Sequence, residues 1–159
     1  MDLLQQARAL LEGERDPIAN AANLAALVYQ GLPDLNWAGF YFMKGGELVL
    51  GPFQGKPACV RIAVGRGVCG TAVAHRKTQL VPDVNAFPGH IACDSASKSE
   101  LVVPILGSRR SLPSSASIGG GNDVVGVLDL DSPSLNRFSE SDAKTIEELV
   151  KIYLAGTDL

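Results

Sequence analysis

The apolar positions of this chain change period twice, and the changes divide it into elements. Between residues 2 and 12, Leu3, Leu4, Ala7, Leu10 and Leu11 recur at helical spacing, and Gly13 closes that helix. Asp16-Pro17 reads as the cap and first residue of a second helix. Its apolar face is Ile18, Ala21, Ala22, Leu24, Ala25 and Val28, and Gly31-Leu32-Pro33 stops it. From Trp37 the period shortens to that of strands. Trp37 to Met43 is aromatic-rich, Lys44-Gly45-Gly46-Glu47 is a hairpin turn, and Glu47 to Phe53 returns. Cys59 to Val64 predicts a third strand. Gly65-Arg66-Gly67 then turns into a short helix, Val68 to Ala74, and Thr78 to Val81 is a short strand. Leu101 to Leu106 and Val124 to Leu130 are rich in β-branched residues and predict central strands. Ser139-Glu140-Ser141-Asp142 has the form of a capping box and opens a last helix that runs to about Leu154.

Two stretches carry no periodicity. Residues 82–99 combine proline, glycine, serine and aspartate, and predict a long loop with room for one helical turn. Loops of that length in compact domains tend to be functional. Gly107 to Asp123 holds five serines, four glycines and one proline, and predicts a flexible surface insertion. The order of elements predicts an α+β domain, a central, mainly antiparallel sheet with the N- and C-terminal helices packed on one face. Residues 1–159 are expected to form one such domain. The terminal helices are also the expected contact surface of a homodimer.

Composition narrows the function. With 46% hydrophobic and 19% charged residues the chain is ordinary for a globular protein. A formal net charge of −3 offers no basic face for nucleic acid or an anionic membrane. Met1-Asp2-Leu3-Leu4-Gln5 has no basic start, and no apolar run is long enough to cross a bilayer, so a cytoplasmic location is expected. There, three cysteines are more naturally reactive than structural.

Those cysteines are Cys59, Cys69 and Cys93. A thiolate is a nucleophile and a two-electron reductant. Three thiols suit a relay in which one attacks, one resolves and one passes the disulfide outward. Cys69 falls in the first turn of the predicted short helix, where backbone amides should lower its pKa. Cys93 lies in the long loop, three residues after His90 and next to Asp94. Residue chemistry leaves the nucleophile open between Cys69 and Cys93. No metal is expected, because there is no C-x-x-C pair and only His90-x-x-Cys93 has ligand-like spacing. Asp129 and Asp131 stand two apart on one strand, and Trp37 and Tyr41 four apart on another, so each pair shares a face.

The stretches Asn36-Trp37-Ala38-Gly39-Phe40-Tyr41, Gly51 to Cys59, Gly67-Val68-Cys69-Gly70-Thr71-Ala72, Phe87 to Asp94, and Gly126 to Pro133 resemble the free methionine-(R)-sulfoxide reductases. These are single-domain GAF proteins, and the likeness covers about residues 10–155. It implies that Cys93 attacks the sulfoxide sulfur and that Cys69 resolves the product. It also implies that Cys59 is an auxiliary thiol able to share a disulfide with Cys69. Glu100, Asp129 and Asp131 would be the carboxylates of the substrate pocket, with Trp37 and Tyr41 as its aromatic wall. Acidic side chains suit the substrate ammonium, and a carboxyl that stays protonated suits the sulfoxide oxygen. Backbone amides from Ile91 through Ala92 to Cys93 are candidates for the substrate carboxylate. The expected reaction is reduction of free methionine (R)-sulfoxide through a sulfenic acid and an intramolecular disulfide, recycled by thioredoxin without a cofactor. The rival expectation is a non-enzymatic GAF sensor of a small ligand or of redox state, since fold alone does not fix function.

Overall fold

The computed structural model describes residues 1–91, 93–107 and 123–159. They carry helices α1 (Leu3–Leu10), α2 (Pro17–Gly31), α3 (Gly67–His75) and α4 (Glu140–Ala155). The strands are β1 (Trp37–Lys44), β2 (Glu47–Gly55), β3 (Arg61–Ala63), β4 (Gln79–Val81), β5 (Ser99–Gly107) and β6 (Asp123–Ser132). Three helices start at the caps that the sequence supplies. Asp2 accepts from the amide of Gln5, whose side chain accepts from the amide of Asp2. Asp16 accepts from the amides of Ile18 and Ala19, with Pro17 in the first helical position. Ser139 and Asp142 close a capping box on α4.

Among the described residues, six strands form one sheet in the order β3-β2-β1-β6-β5-β4, and every neighbouring pair is antiparallel. Alternation along the strands sorts its two faces. Phe40 on β1, Leu101 and Ile105 on β5, and Leu128 and Leu130 on β6 meet Leu24, Val28, Ile146, Leu149 and Tyr153 of the helices in one core. Each of these is fully buried, a gain of about 1.5–3 kcal/mol for each large aliphatic or aromatic side chain. The terminal helices α1, α2 and α4 therefore cover one face, as the pattern predicted. Helix α3 covers the other, where Val68, Cys69 and Ala72 pack with Trp37, Tyr41, Val102 and Val127.

Two local expectations shift. Strand β3 is shorter than predicted, so Cys59 lies in the connection before it rather than on a strand. Pro57, two residues upstream, has no N–H to give a ladder. The long loop holds a single 3-10 turn, Val84–Ala86, capped by Asp83. The expected insertion lies outside the described residues except for its ends. Gly107 and Asp123 face each other in register across β5 and β6.

Candidate active site

Ladder register assembles the site. Trp37 pairs with Asp131 and Gly39 with Asp129 across β1 and β6, and Glu100 pairs with Asp131 across β5 and β6. Partners directly opposite in an antiparallel ladder share a face. Trp37, Tyr41, Glu100, Asp129 and Asp131 thus all emerge on the α3 side, where they line one pocket with Cys69, His90, Ile91 and Cys93. The structure brings together every expected site residue except Ala92, which lies outside the described residues.

Glycine at position 39 makes room for the aromatic wall. A Cβ there would stand 2.3 Å from Phe53 Cβ and 2.7 Å from the Trp37 ring. Trp37 instead stacks on Phe53 at 5.3 Å and on Tyr41 at 5.8 Å between centroids. Trp37 Nε1 donates to the carbonyl of Lys56 at 3.1 Å, and the Tyr41 hydroxyl donates to the carbonyl of Cys59 at 3.0 Å. The wall therefore also anchors the connection that carries Cys59.

Cys59 and Cys93 form a disulfide, with Cα atoms 5.7 Å apart. Cys93 is exposed and Cys59 half-buried. Cys69 is free and buried on α3. The expected pairings of Cys69, with Cys93 as resolver and with Cys59 as auxiliary, are not the bond in this structure. Tyr41 holds the Cys59 segment at the rim beside Cys93. The Cys69 thiol points instead to Glu100 Oε1, 3.9 Å away. The expected low pKa is also reversed. Burial, followed by the charges of Asp129 and Glu100, pushes the Cys69 thiol up despite its place in the first turn of α3.

The three carboxyls share one cause of perturbation. Burial pushes Glu100 up, and the charges of Asp129 and Asp131 add to it. Burial and then the charge of Asp129 push Asp131 up. Burial pushes Asp129 up to about 6, against hydrogen bonds with Glu100 and Cys69 that favour its ionised form. Among the described residues, no lysine or arginine forms an ion pair with any of the three. His90 Nε2 lies 3.9 Å from Glu100 Oε2. Burial lowers the His90 pKa and raises that of Glu100, so both shifts disfavour the charged forms of this pair. Asp129 Oδ1 is buried without a hydrogen-bond partner, which marks it as an acceptor awaiting a donor.

The loop bearing Cys93 is held from the residue just before β1. Asn36 Nδ2 donates to Asp94 Oδ2 at 3.1 Å and to Ser97 Oγ at 3.0 Å. The amide of Ala96, and then Asn36, keep the Asp94 carboxyl below its ordinary range. Sequence reasoning missed Asn36 and Ser97, and the only signal was a polar residue directly before Trp37. Ile91 covers Gly67, whose φ of +61° suits glycine and whose missing Cβ leaves space for the Ile91 side chain. The amide of Cys93 donates to the carbonyl of Ile91 at 3.1 Å. It is already used, which removes it from the expected set of substrate-carboxylate donors.

The GAF domain family matches residues 2–152. The free methionine-R-sulfoxide reductase of Escherichia coli is 49% identical over 160 residues, covering 99% of this chain and 89% of its own. The chain belongs to the GAF-type free methionine-(R)-sulfoxide reductase family. Protein YtsP of Bacillus subtilis is 55% identical over 151 residues, covering 94% of this chain and 85% of its own. The solved structure of the Staphylococcus aureus reductase in complex with substrate superposes with a TM-score of 0.85 at 46% identity. It covers 97% of this chain and 92% of that one. The expected GAF fold is the observed one. Among the described residues, no helix of this reductase-family chain is long and apolar enough to cross a membrane.

Proposed function

We propose that the chain reduces free methionine (R)-sulfoxide to methionine with Cys93 as nucleophile and Cys59 as resolving thiol. The observation that carries this reading is the Cys59–Cys93 disulfide at the rim of a pocket whose three carboxyls form no lysine or arginine ion pair among the described residues. The substrate ammonium supplies the missing cation and donates to Asp129 Oδ1. Trp37 and Tyr41 enclose the methyl sulfoxide end. A carboxyl that burial keeps protonated donates to the sulfoxide oxygen. The Cys93 thiolate attacks the sulfoxide sulfur while the carboxyl proton passes to the sulfoxide oxygen. That hydroxyl then transfers to the Cys93 sulfur as the substrate S–O bond and the transient S–S bond break, so methionine leaves and Cys93 is left as a sulfenic acid. The Cys59 thiol attacks that sulfur, water leaves, and the disulfide forms. A thioredoxin-type dithiol then returns both thiols, approaching through the exposed Cys93. Net, one sulfoxide and one dithiol give methionine, one disulfide and water.

The test follows methionine release and disulfide formation with free and N-acetylated substrate. Free (R)-sulfoxide should turn over with dithiothreitol, whereas the N-acetylated form and the (S) epimer should react far more slowly. Cys93→Ser should release no methionine. Cys59→Ser should release one equivalent and then stall with thioredoxin. Equal rates on the N-acetylated substrate, or binding without turnover as a sensor would show, refute the reading. Full thioredoxin-supported turnover by Cys59→Ser, with a stalled Cys69→Ser, would return the resolving role to Cys69.

The same reading places a single domain over residues 1–159 in the cytoplasm as a homodimer. Leu10 on α1 and Ile18 on α2 stay 41% and 53% exposed, which supports an apolar contact through the terminal helices. Sedimentation equilibrium at micromolar concentration should give twice the chain mass, and a monomer would reject the dimer.

A further inference from the structure

Cys69 is the one thiol outside the disulfide, and the cycle proposed above gives it no task. Its Sγ, a Glu100 oxygen and an Asp129 oxygen all lie within 4.8 Å of one another. The closest measured pair, Cys69 Sγ to Glu100 Oε1, stands at 3.9 Å. Ligands around a tetrahedral zinc ion, at bond lengths of about 2.0–2.3 Å, stand about 3.3–3.8 Å from one another. These three donors need to close by only about 1 Å. His90 Nε2 lies outside that group but 3.9 Å from the other Glu100 oxygen on the same pocket wall, so it completes the set only by turning toward the three donors.

A second observation points to a cation at this spot. Asp129 is 5% exposed, and its Oδ1 has no hydrogen-bond partner. The three carboxyls of the pocket have no lysine or arginine ion pair among the described residues. An ammonium needs only oxygen acceptors. A thiol and an imidazole beside the carboxyls form a mixed donor set of the kind borderline-soft divalent ions prefer, whereas magnesium and calcium prefer oxygen alone.

We infer that, in the disulfide form of the protein, Cys69, Glu100, Asp129 and His90 form a Zn²⁺ site in the floor of the pocket, occupied in competition with the amino-acid ligand. Binding is not a redox step. The Cys69 thiol and any protonated carboxyl release their protons to solvent, and the metal takes their place. The disulfide removes Cys59 and Cys93 as competing ligands, so every metal–thiolate bond in this form must use Cys69. The inference goes beyond the reductase reading and does not depend on turnover.

Cobalt(II) is the probe, because its thiolate charge-transfer absorbance reports sulfur ligation and its visible bands report tetrahedral geometry. The full chain is oxidised until one thiol titrates, then titrated with Co²⁺. The expected result is a thiolate band that saturates at one equivalent, disappears on adding Zn²⁺, and needs more Co²⁺ when methionine is present. Cys69→Ser, checked for folding by circular dichroism, should lose the band. Asp129→Asn keeps the sulfur, and its affinity should fall by at least about tenfold. No band in the wild-type protein, or a band that survives in Cys69→Ser, overturns the inference. Undiminished affinity in Asp129→Asn overturns it as well, and does so even if Cys69→Ser does not fold. Failure here leaves the turnover assay untouched, since that assay is run on reduced, metal-free protein.

Discussion

Burial holds Asp129 with a pKa of about 6, well above that of a carboxyl in the unfolded chain. Below about pH 4 the group is protonated in both states and has no effect on the pH dependence of folding. As pH rises from about 4 to about 6 the unfolded chain loses its proton first, so stability falls through that window and stays lower above it. Glu100 and Asp131, also raised, act with the same sign. Asp129→Asn removes one of these contributions, so its melting temperature relative to the wild type should improve between pH 4 and pH 7. Turnover at pH 7 should fall by at least about tenfold, as expected for the loss of a positioned charged contact or proton donor. Melting curves at the two pH values and a kcat measurement check both halves. An unchanged melting difference would mean that the carboxyl is solvated. That Asp129 and Asp131 share a face was legible in the sequence, because a strand's period of two is local information. The partner of Cys93 was not. Whether Cys59 or Cys69 reaches it depends on where Tyr41 anchors one connection and how deeply α3 buries the other thiol.

Strand β1 does two jobs on its two faces. Phe40 packs into the helix-covered core, while Trp37 and Tyr41 wall the pocket. The wall depends on the bare backbone at Gly39. Gly39→Ala should push the Trp37 ring and Phe53 apart and destabilise the protein by about 1–3 kcal/mol through overpacking. It should also raise KM more than it lowers kcat, because in the proposed reading the aromatic wall meets the substrate while the thiols stay in place. A chemical denaturation curve and steady-state kinetics read the two effects, and a variant with wild-type stability would show that Trp37 has slack. Element starts were well marked along the chain, since Asp16-Pro17 and Ser139 to Asp142 write their caps in local sequence. Strand β3 was overextended in the sequence reading because Cys59 and Val60 continue its apolar pattern, whereas the ladder has only Arg61–Ala63. The pKa of Cys69 was misread for a related reason. A helix start is visible in sequence, but the burial of the thiol, and then the two carboxyls that face it from β6 and β5, are not.

The sheet separates the pocket from the connection between β5 and β6. Glu100 stands near one end of β5 and Gly107 at the other, seven strand residues away, or roughly 20 Å. Since Gly107 and Asp123 are already paired, replacing residues 108–122 by a short glycine-containing turn should leave kcat/KM within about a few-fold of the wild type. A large loss of activity with an unchanged circular dichroism spectrum would assign that segment a part in catalysis. The disulfide acts over a comparable range. It joins residues 34 apart in sequence, so its ring encloses β3, α3 and β4. Closing a ring of that length restricts the unfolded chain enough to stabilise the fold by about 3–4 kcal/mol. In the cycle proposed above, each turnover fastens and releases a covalent brace around the segment that carries Cys69 and His90. When reductant runs short the braced form accumulates, and it opens to proteases less readily than the thiol form, a difference that limited proteolysis of the two forms measures. On that cycle the lifetime of the protein would be tied to the reducing supply around it, with the longest survival when repair of oxidised methionine is stalled.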